Sequence, residues 1–133
     1  MNGNTKSDKN LKQEMKMSTL SKTWIFDLDG TLLKHNGYKT DGKDTLLPGA
    51  KAYLDALPKE DRILILTSRT DEYREDTLCF LKENAIRYDE ILFNIPYGER
   101  IVVNDKKPSG LMTAIAINLE RDCFELPEIL REG

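Results

Sequence analysis

The sequence predicts an α/β fold, a three-layer sandwich around a central and mostly parallel sheet. Four short apolar runs each stop abruptly at polar residues: 24–26, 63–66, 91–93 and 101–103. Continuous apolar runs are typical of parallel strands that are buried on both faces. Helix-spaced apolar residues separate the first three runs, and this alternation favours βαβ units with short, right-handed connections.

Composition restricts the class of protein. With 133 residues and 39% hydrophobic content, the chain has room for one domain with a genuine core. Its net charge of -3 shows no excess of positive charge of the kind that indicates nucleic-acid binding. The chain lacks an apolar stretch of membrane-spanning length and the apolar core of a signal peptide, so we expect a cytoplasmic protein with no membrane partner. Cys79 and Cys123 have no metal-site or redox spacing and are expected to be reduced thiols.

The two ends of the chain differ from its middle. Residues 1–21 are rich in Asn, Lys and Ser, which predicts a disordered or loosely helical leader before a single folded domain at 22–133. Residues 120–133 read as a charged tail with a short helix at 127–131.

The elements between the strands follow from turn residues and helical spacing. Residues 32–47 contain two glycines and several lysines, which predicts a short polar hairpin or flap over the strand ends. A helix is predicted to begin at Pro48-Gly49 and to end at Pro58, and a second to run from Asp71 to about Asn84. The stretch 112–119 is compatible with a helix or an edge strand, and its isoleucines favour the strand.

The first apolar run ends in the sequence Asp27-Leu28-Asp29-Gly30-Thr31. Two carboxylates separated by one residue, followed by a glycine that permits a sharp turn, fit the carboxyl end of a parallel strand, where ligands bind. An ordinary acidic turn is the simpler interpretation. However, four specified residues at this spacing arise by chance in only about one in several hundred chains of this length, which favours the functional interpretation.

This motif resembles the first motif of the haloacid dehalogenase (HAD) superfamily, whose members are mostly Mg-dependent phosphatases that form an aspartyl-phosphate. The resemblance implies a Rossmann-like HAD core with Asp27 as the nucleophile. It implies that Asp29 is the general acid for the leaving oxygen and then the base for the attacking water. The intervals 32–47 and 94–100 are too short for a cap domain, so we expect a capless member.

The resemblance also implies a magnesium site. Mg²⁺ takes hard oxygen ligands, which would come from the Asp27 carboxylate, the Asp29 carbonyl and Asp105, the acidic residue at the fourth strand end. Asn104 stands where relatives often carry Gly or Asp, so this motif lacks a second carboxylate.

Thr67, with Ser68 beside it, resembles the second motif of the family. That motif is a Ser or Thr whose hydroxyl would donate a hydrogen bond to a phosphoryl oxygen. The backbone N–H groups of Leu28 and Asp29 would add donors to the same oxygens. Alone, a threonine after a strand is more often a structural cap.

The third motif departs from the usual pattern, because the interval 94–99 contains no lysine or arginine to hold the phosphate. Lys107 is the preferred candidate, Arg100 the next, and Lys106 remains open.

Two further residues carry weaker hypotheses. Arg69 would either contact substrate or pair with Asp71 or Glu72. His35 lies in the flap, where an exposed histidine without function is the favoured interpretation.

The substrate follows only from resemblance. Residues 104–110, with the downstream stretch 114–119, resemble small bacterial HAD proteins of capsule or lipopolysaccharide sugar pathways. This implies a small phosphorylated metabolite, either a phosphorylated sugar or a short phosphorylated alcohol. Because an open site does not exclude water by itself, we expect a homo-oligomer in which the flap meets a neighbour. Two alternatives stay open: a polynucleotide 3'-phosphatase and a non-catalytic module that binds a phosphate ligand.

Overall fold

The structure is a computed structural model and describes residues 14–131. It contains five strands, three α-helices and one 3₁₀ turn within these residues. In chain order they are β1 (Glu14–Met17), β2 (Thr23–Asp27), α1 (Gly37–Thr40), α2 (Ala50–Ala56), β3 (Arg62–Leu66), the 3₁₀ turn (Asp71–Tyr73), α3 (Arg74–Glu83), β4 (Glu90–Leu92) and β5 (Glu128–Arg131). The predicted α/β class is confirmed.

The main sheet has the order β2-β3-β4, and both pairings are parallel. Ile25 lies opposite Leu64, and Ile65 lies opposite Ile91. The predicted first, second and third strands are therefore confirmed. Because the three strands run in one direction, their carboxyl ends meet at one edge, where the acidic turn follows β2.

The hydrophobic core joins the sheet to α2 and α3. Ile63 and Ile65 of β3 are fully buried, as are Leu54 of α2 and Leu81 of α3. The core extends under the acidic turn through three leucines: Leu28, Leu32 and Leu33. Burying a leucine side chain contributes about 1.5–3 kcal/mol, so these residues anchor the turn that carries both predicted catalytic aspartates.

The predicted flap is present at residues 32–47. Its two arms are joined by backbone hydrogen bonds, from Leu47 N–H to the Leu32 carbonyl and from Lys34 N–H to the Thr45 carbonyl, both at 2.9 Å. A single turn of helix, α1, forms its tip.

The chain ends depart from the predictions. β1 and β5 pair in parallel, with Met15 opposite Ile129, where we predicted a disordered or loosely helical leader and a short C-terminal helix. Each segment is too short to form a stable element alone, and the two segments stabilise each other by pairing. Because they are far apart in sequence, local sequence patterns do not reveal this pairing. The rest of the leader, residues 1–13, lies outside the described residues.

The predicted fourth strand is wrong. Ile101, Val102 and Val103 are 83%, 57% and 90% exposed and form no strand, and residues 112–119 form neither a strand nor a helix. The outer edge of β2 has no strand beside it within residues 14–131. A β-branched run becomes a strand only when its backbone pairs with a neighbour, and this run has no strand pairing among the described residues.

None of the helices in the described part of the chain has the length and apolarity needed to cross a membrane.

Candidate active site

A cavity of about 1520 Å³ lies between the end of β2 and the irregular segment 97–119. Seven of the residues for which the sequence suggested or weighed a role line it: Asp27, Asp29, His35, Ser68, Arg69, Arg100 and Lys107. The structure therefore brings the acidic turn, the end of β3 and two of the candidate cations to one concave surface.

The acidic turn is fixed by backbone hydrogen bonds. The Leu28 carbonyl accepts from the N–H groups of Thr31, Leu32 and Leu33 at 3.0–3.3 Å, and Gly30 N–H donates to the Leu33 carbonyl at 2.7 Å. Gly30 has a φ of 87°, in the left-handed region that favours glycine. The turn therefore holds the two aspartates in a defined arrangement.

Asp27 lies at the wall of the cavity, with 39% of its side chain exposed. Arg100 Nη1 donates to Asp27 Oδ1 at 2.9 Å, and the Thr31 hydroxyl donates to Oδ2 at 3.2 Å. A half-exposed, charge-compensated carboxylate is accessible to a substrate that enters the cavity.

Asp29 has a different environment, because Arg69 engages both of its oxygens. Arg69 Nε donates to Oδ2 at 3.1 Å, and Nη2 donates to Oδ1 at 2.9 Å. The Asp29 side chain is only 18% exposed. Bidentate pairs of this kind fix the orientation of a carboxylate as well as its charge.

Arg69 is the buried centre of the site, with its side chain 2% exposed. It also binds Asp44 of the flap, through Nη1 at 3.1 Å and Nη2 at 2.7 Å, and its Nη1 donates to the Thr77 hydroxyl at 2.8 Å. Burial opposes the charge, but hydrogen bonds to the two carboxylates outweigh this effect and raise the pKa of Arg69 above its ordinary value. The guanidinium lies 3.9 Å from the centre of the Tyr38 ring.

Arg69 pairs with Asp29 and Asp44 rather than with Asp71 or Glu72, so the predicted pairing is wrong. Arg69 also lines the cavity, and its contact with substrate stays a prediction. Asp44 was not among the residues predicted to form the site. An aspartate in a polar flap is indistinguishable in sequence from one that is exposed to solvent, so no local signal could have found it.

The predicted phosphate-binding hydroxyl lies in the protein interior. Thr67 is 1% exposed, does not line the cavity, and its Oγ1 accepts a hydrogen bond from the Arg69 N–H at 3.1 Å. Ser68 lines the cavity and donates to the Pro96 carbonyl at 3.4 Å. Leu28 is fully buried beneath the turn.

Of the three candidate cations for the third motif, Arg100 contacts Asp27. Lys107 lines the same cavity and has no ion-pair partner within residues 14–131. Lys106 is exposed and does not line the cavity. His35 is half-buried and lies beside Gly30. Its backbone N–H donates to Asp122 Oδ1 at 2.7 Å.

Asp105 does not join the two aspartates of the turn in a cluster that could hold a metal ion. Its N–H donates to Asn104 Oδ1 at 3.1 Å, its carbonyl accepts from the Thr113 hydroxyl, and it does not line the cavity. Across residues 14–131, no three His, Cys, Asp or Glu side chains lie close enough to hold a metal ion. As arranged here, the donors predicted for Mg²⁺ form an incomplete set, so magnesium binding stays a prediction.

Two solved structures are similar to this chain. One is titled a structure of the Pnkp1/Rnl/Hen1 RNA repair complex; its matching chain is 33% identical, with 65% of this chain and 30% of that chain covered and a TM-score of 0.49. The other, of the Pnkp1/Rnl/Hen1 complex, is 32% identical, with 64% and 32% covered and the same TM-score. The chain thus spans about a third of the length of these chains. At this TM-score the likeness does not assign an activity.

No family model and no curated protein matches the sequence.

Proposed function

We propose that this protein is a phosphomonoester hydrolase of the HAD type, in which Asp27 is the nucleophile and Asp29 the general acid and base. The observation that carries the proposal is the position of the two carboxylates. They follow the same strand end, lie on the wall of one cavity, and have different partners. Two carboxylates in different environments are suited to two different roles.

The chemistry has two steps. An oxygen of Asp27 attacks phosphorus, the bond between phosphorus and the leaving oxygen breaks, and Asp29 donates a proton to that oxygen. Asp29 then removes a proton from water, which attacks the aspartyl-phosphate and releases inorganic phosphate and free Asp27. The protein regains its starting state with one water consumed.

Arg100 supports the first step electrostatically. Its guanidinium lies at 2.9 Å from Asp27, which would place positive charge beside the oxygens of a phosphoryl group bound there. The proposal keeps the expected Mg²⁺, which when bound would neutralise further phosphoryl charge. We propose a phosphorylated sugar or a short phosphorylated alcohol as the substrate, and a role in capsule biosynthesis in the cytoplasm. We also propose that the protein self-associates through the flap.

The proposal is tested by phosphate release. The protein is incubated with an aryl phosphate, a panel of sugar phosphates and an oligonucleotide with a 3'-phosphate, each with Mg²⁺ and again with excess EDTA. We expect steady turnover of at least one small substrate with Mg²⁺ and its loss with EDTA. Preference for the oligonucleotide would favour the polynucleotide alternative, whereas binding without turnover of any substrate would favour the non-catalytic module.

Arg100→Ala separates the candidate cations. Arg100 contacts Asp27, whereas Lys107 lines the cavity without an ion pair to Asp27 among residues 14–131. We therefore expect Arg100→Ala to reduce kcat/KM about tenfold to a hundredfold, which corresponds to the loss of one hydrogen bond to a charged group. Lys107→Ala should change it less. Steady-state kinetics on the best substrate checks this, and the reverse order would assign the third motif to Lys107.

A further inference from the structure

We propose that Asp44, with Tyr38, is a positioning residue that couples the flap to the orientation of Asp29. The inference rests on the proposed role of Asp29 and extends it. Asp44 lies in the flap, far in sequence from both strand ends, and its side chain is 7% exposed. Among residues 14–131, its side chain forms hydrogen bonds only with Arg69, which connects it to the site.

Every N–H donor of the Arg69 side chain is engaged by the protein itself. A guanidinium has five N–H donors, and here each has an acceptor: two bonds go to Asp29, two to Asp44 and one to Thr77. A side chain with every donor engaged has none left for a phosphate. Arg69 therefore serves to hold other side chains in place.

The residues that contact Arg69 belong to three different parts of the fold. They come from the acidic turn (Asp29), the flap (Asp44 and Tyr38) and α3 (Thr77). The planar fork of an arginine transmits orientation, because two bidentate pairs on one plane restrain each other. A displacement of Asp44 would therefore turn the guanidinium and, through it, the Asp29 carboxylate.

Tyr38 provides independent evidence that the flap is part of this device. Its ring lies against the guanidinium face, and burial together with the negative charge of Asp29 raises the pKa of its phenol. The contact with this ring and the two hydrogen bonds to Asp44 together restrain the guanidinium of Arg69. Both restraints come from residues 38 and 44 of the flap.

The kinetic test compares Asp44→Asn, Asp44→Glu and Tyr38→Leu with Asp41→Asn, a matched control. Asp41 is a flap carboxylate that pairs with Lys34 at the surface. We expect Asp44→Asn to lower kcat about tenfold to a hundredfold, the effect of misplacing a reacting group by about 1 Å, with KM changed less than about twofold. Asp44→Glu should recover part of the loss, and Tyr38→Leu should show a smaller loss of the same kind. Equal kinetics for Asp44→Asn and Asp41→Asn would overturn the proposal.

A second measurement does not depend on turnover. Side-chain ¹⁵N NMR should show that the Arg69 guanidinium hydrogens of the wild-type protein exchange with water far more slowly than those of Arg62, whose side chain is 59% exposed. Asp44→Asn should speed the Arg69 exchange at least tenfold while Asp41→Asn leaves it unchanged. Fast Arg69 exchange in the wild type would contradict the inference even in an active enzyme. Slow exchange in a protein without phosphatase activity would instead count against the proposed function alone.

Discussion

Asp27→Asn is expected to lower phosphate release at least about a hundredfold, because an amide does not act as the nucleophile that forms the acyl phosphate. The fold should survive, since the side chain is half-exposed and, within residues 14–131, accepts hydrogen bonds only from Arg100 and Thr31. Turnover is measured on the best substrate of the panel, and thermal unfolding is measured on the same preparation.

The matched control for this variant is Asp55→Asn. Asp55 is an exposed carboxylate of α2 that pairs with Lys51, remote from the cavity lining. Its substitution should leave phosphate release near the wild-type rate. Residual activity of Asp27→Asn above one hundredth of wild type would contradict the nucleophile assignment.

Arg69→Leu is expected to have the largest effect on stability, a loss of about 3–5 kcal/mol in the free energy of unfolding. The substitution leaves Asp29 and Asp44 facing one another without their shared cation, in a region where their side chains are 18% and 7% exposed. Breaking a buried ion pair is costly because the remaining charge has lost both water and partner. Urea unfolding followed by circular dichroism measures the change.

Two further variants make this measurement specific. Arg62→Leu removes an arginine whose carboxylate partners lie 3.5–3.6 Å away at the surface, and it should have a much smaller effect. The double variant Arg69→Leu with Asp44→Leu should be more stable than Arg69→Leu alone, because one uncompensated carboxylate is gone. If Arg69→Leu costs no more than Arg62→Leu, the buried cluster contributes nothing to folding.

The sequence predicted those elements whose signals are local. The apolar runs at 24–26 and 63–66 became β2 and β3, and helical spacing located α2 before Pro58. The acidic turn could be recognised as a strand end with a glycine that must adopt a positive φ. Each of these features depends on neighbours within a few residues, so its pattern is written in consecutive positions of the chain.

The run at 101–103 shows where local patterns fail. It has the same apolar, β-branched character as β3, yet it remains exposed while the outer edge of β2 has no strand partner among the described residues. The opposite error occurs at residues 14–17, where a segment predicted to be unstructured pairs with β5. Strand formation requires a partner, and the identity of that partner is a property of the whole chain.

By itself, the sequence determined the α/β class, the carboxylate pair of the acidic turn and the helices that pack against the sheet. Only the tertiary structure decided that Arg69 joins Asp29 to Asp44, that Arg100 contacts Asp27, and that Asp105 does not line their cavity. The physical reason is the separation in sequence between the residues that interact. Hydrophobic periodicity acts between residues close in sequence, whereas the buried charge of Arg69 has its carboxylate partners 25 and 40 positions away, which only the folded chain brings together.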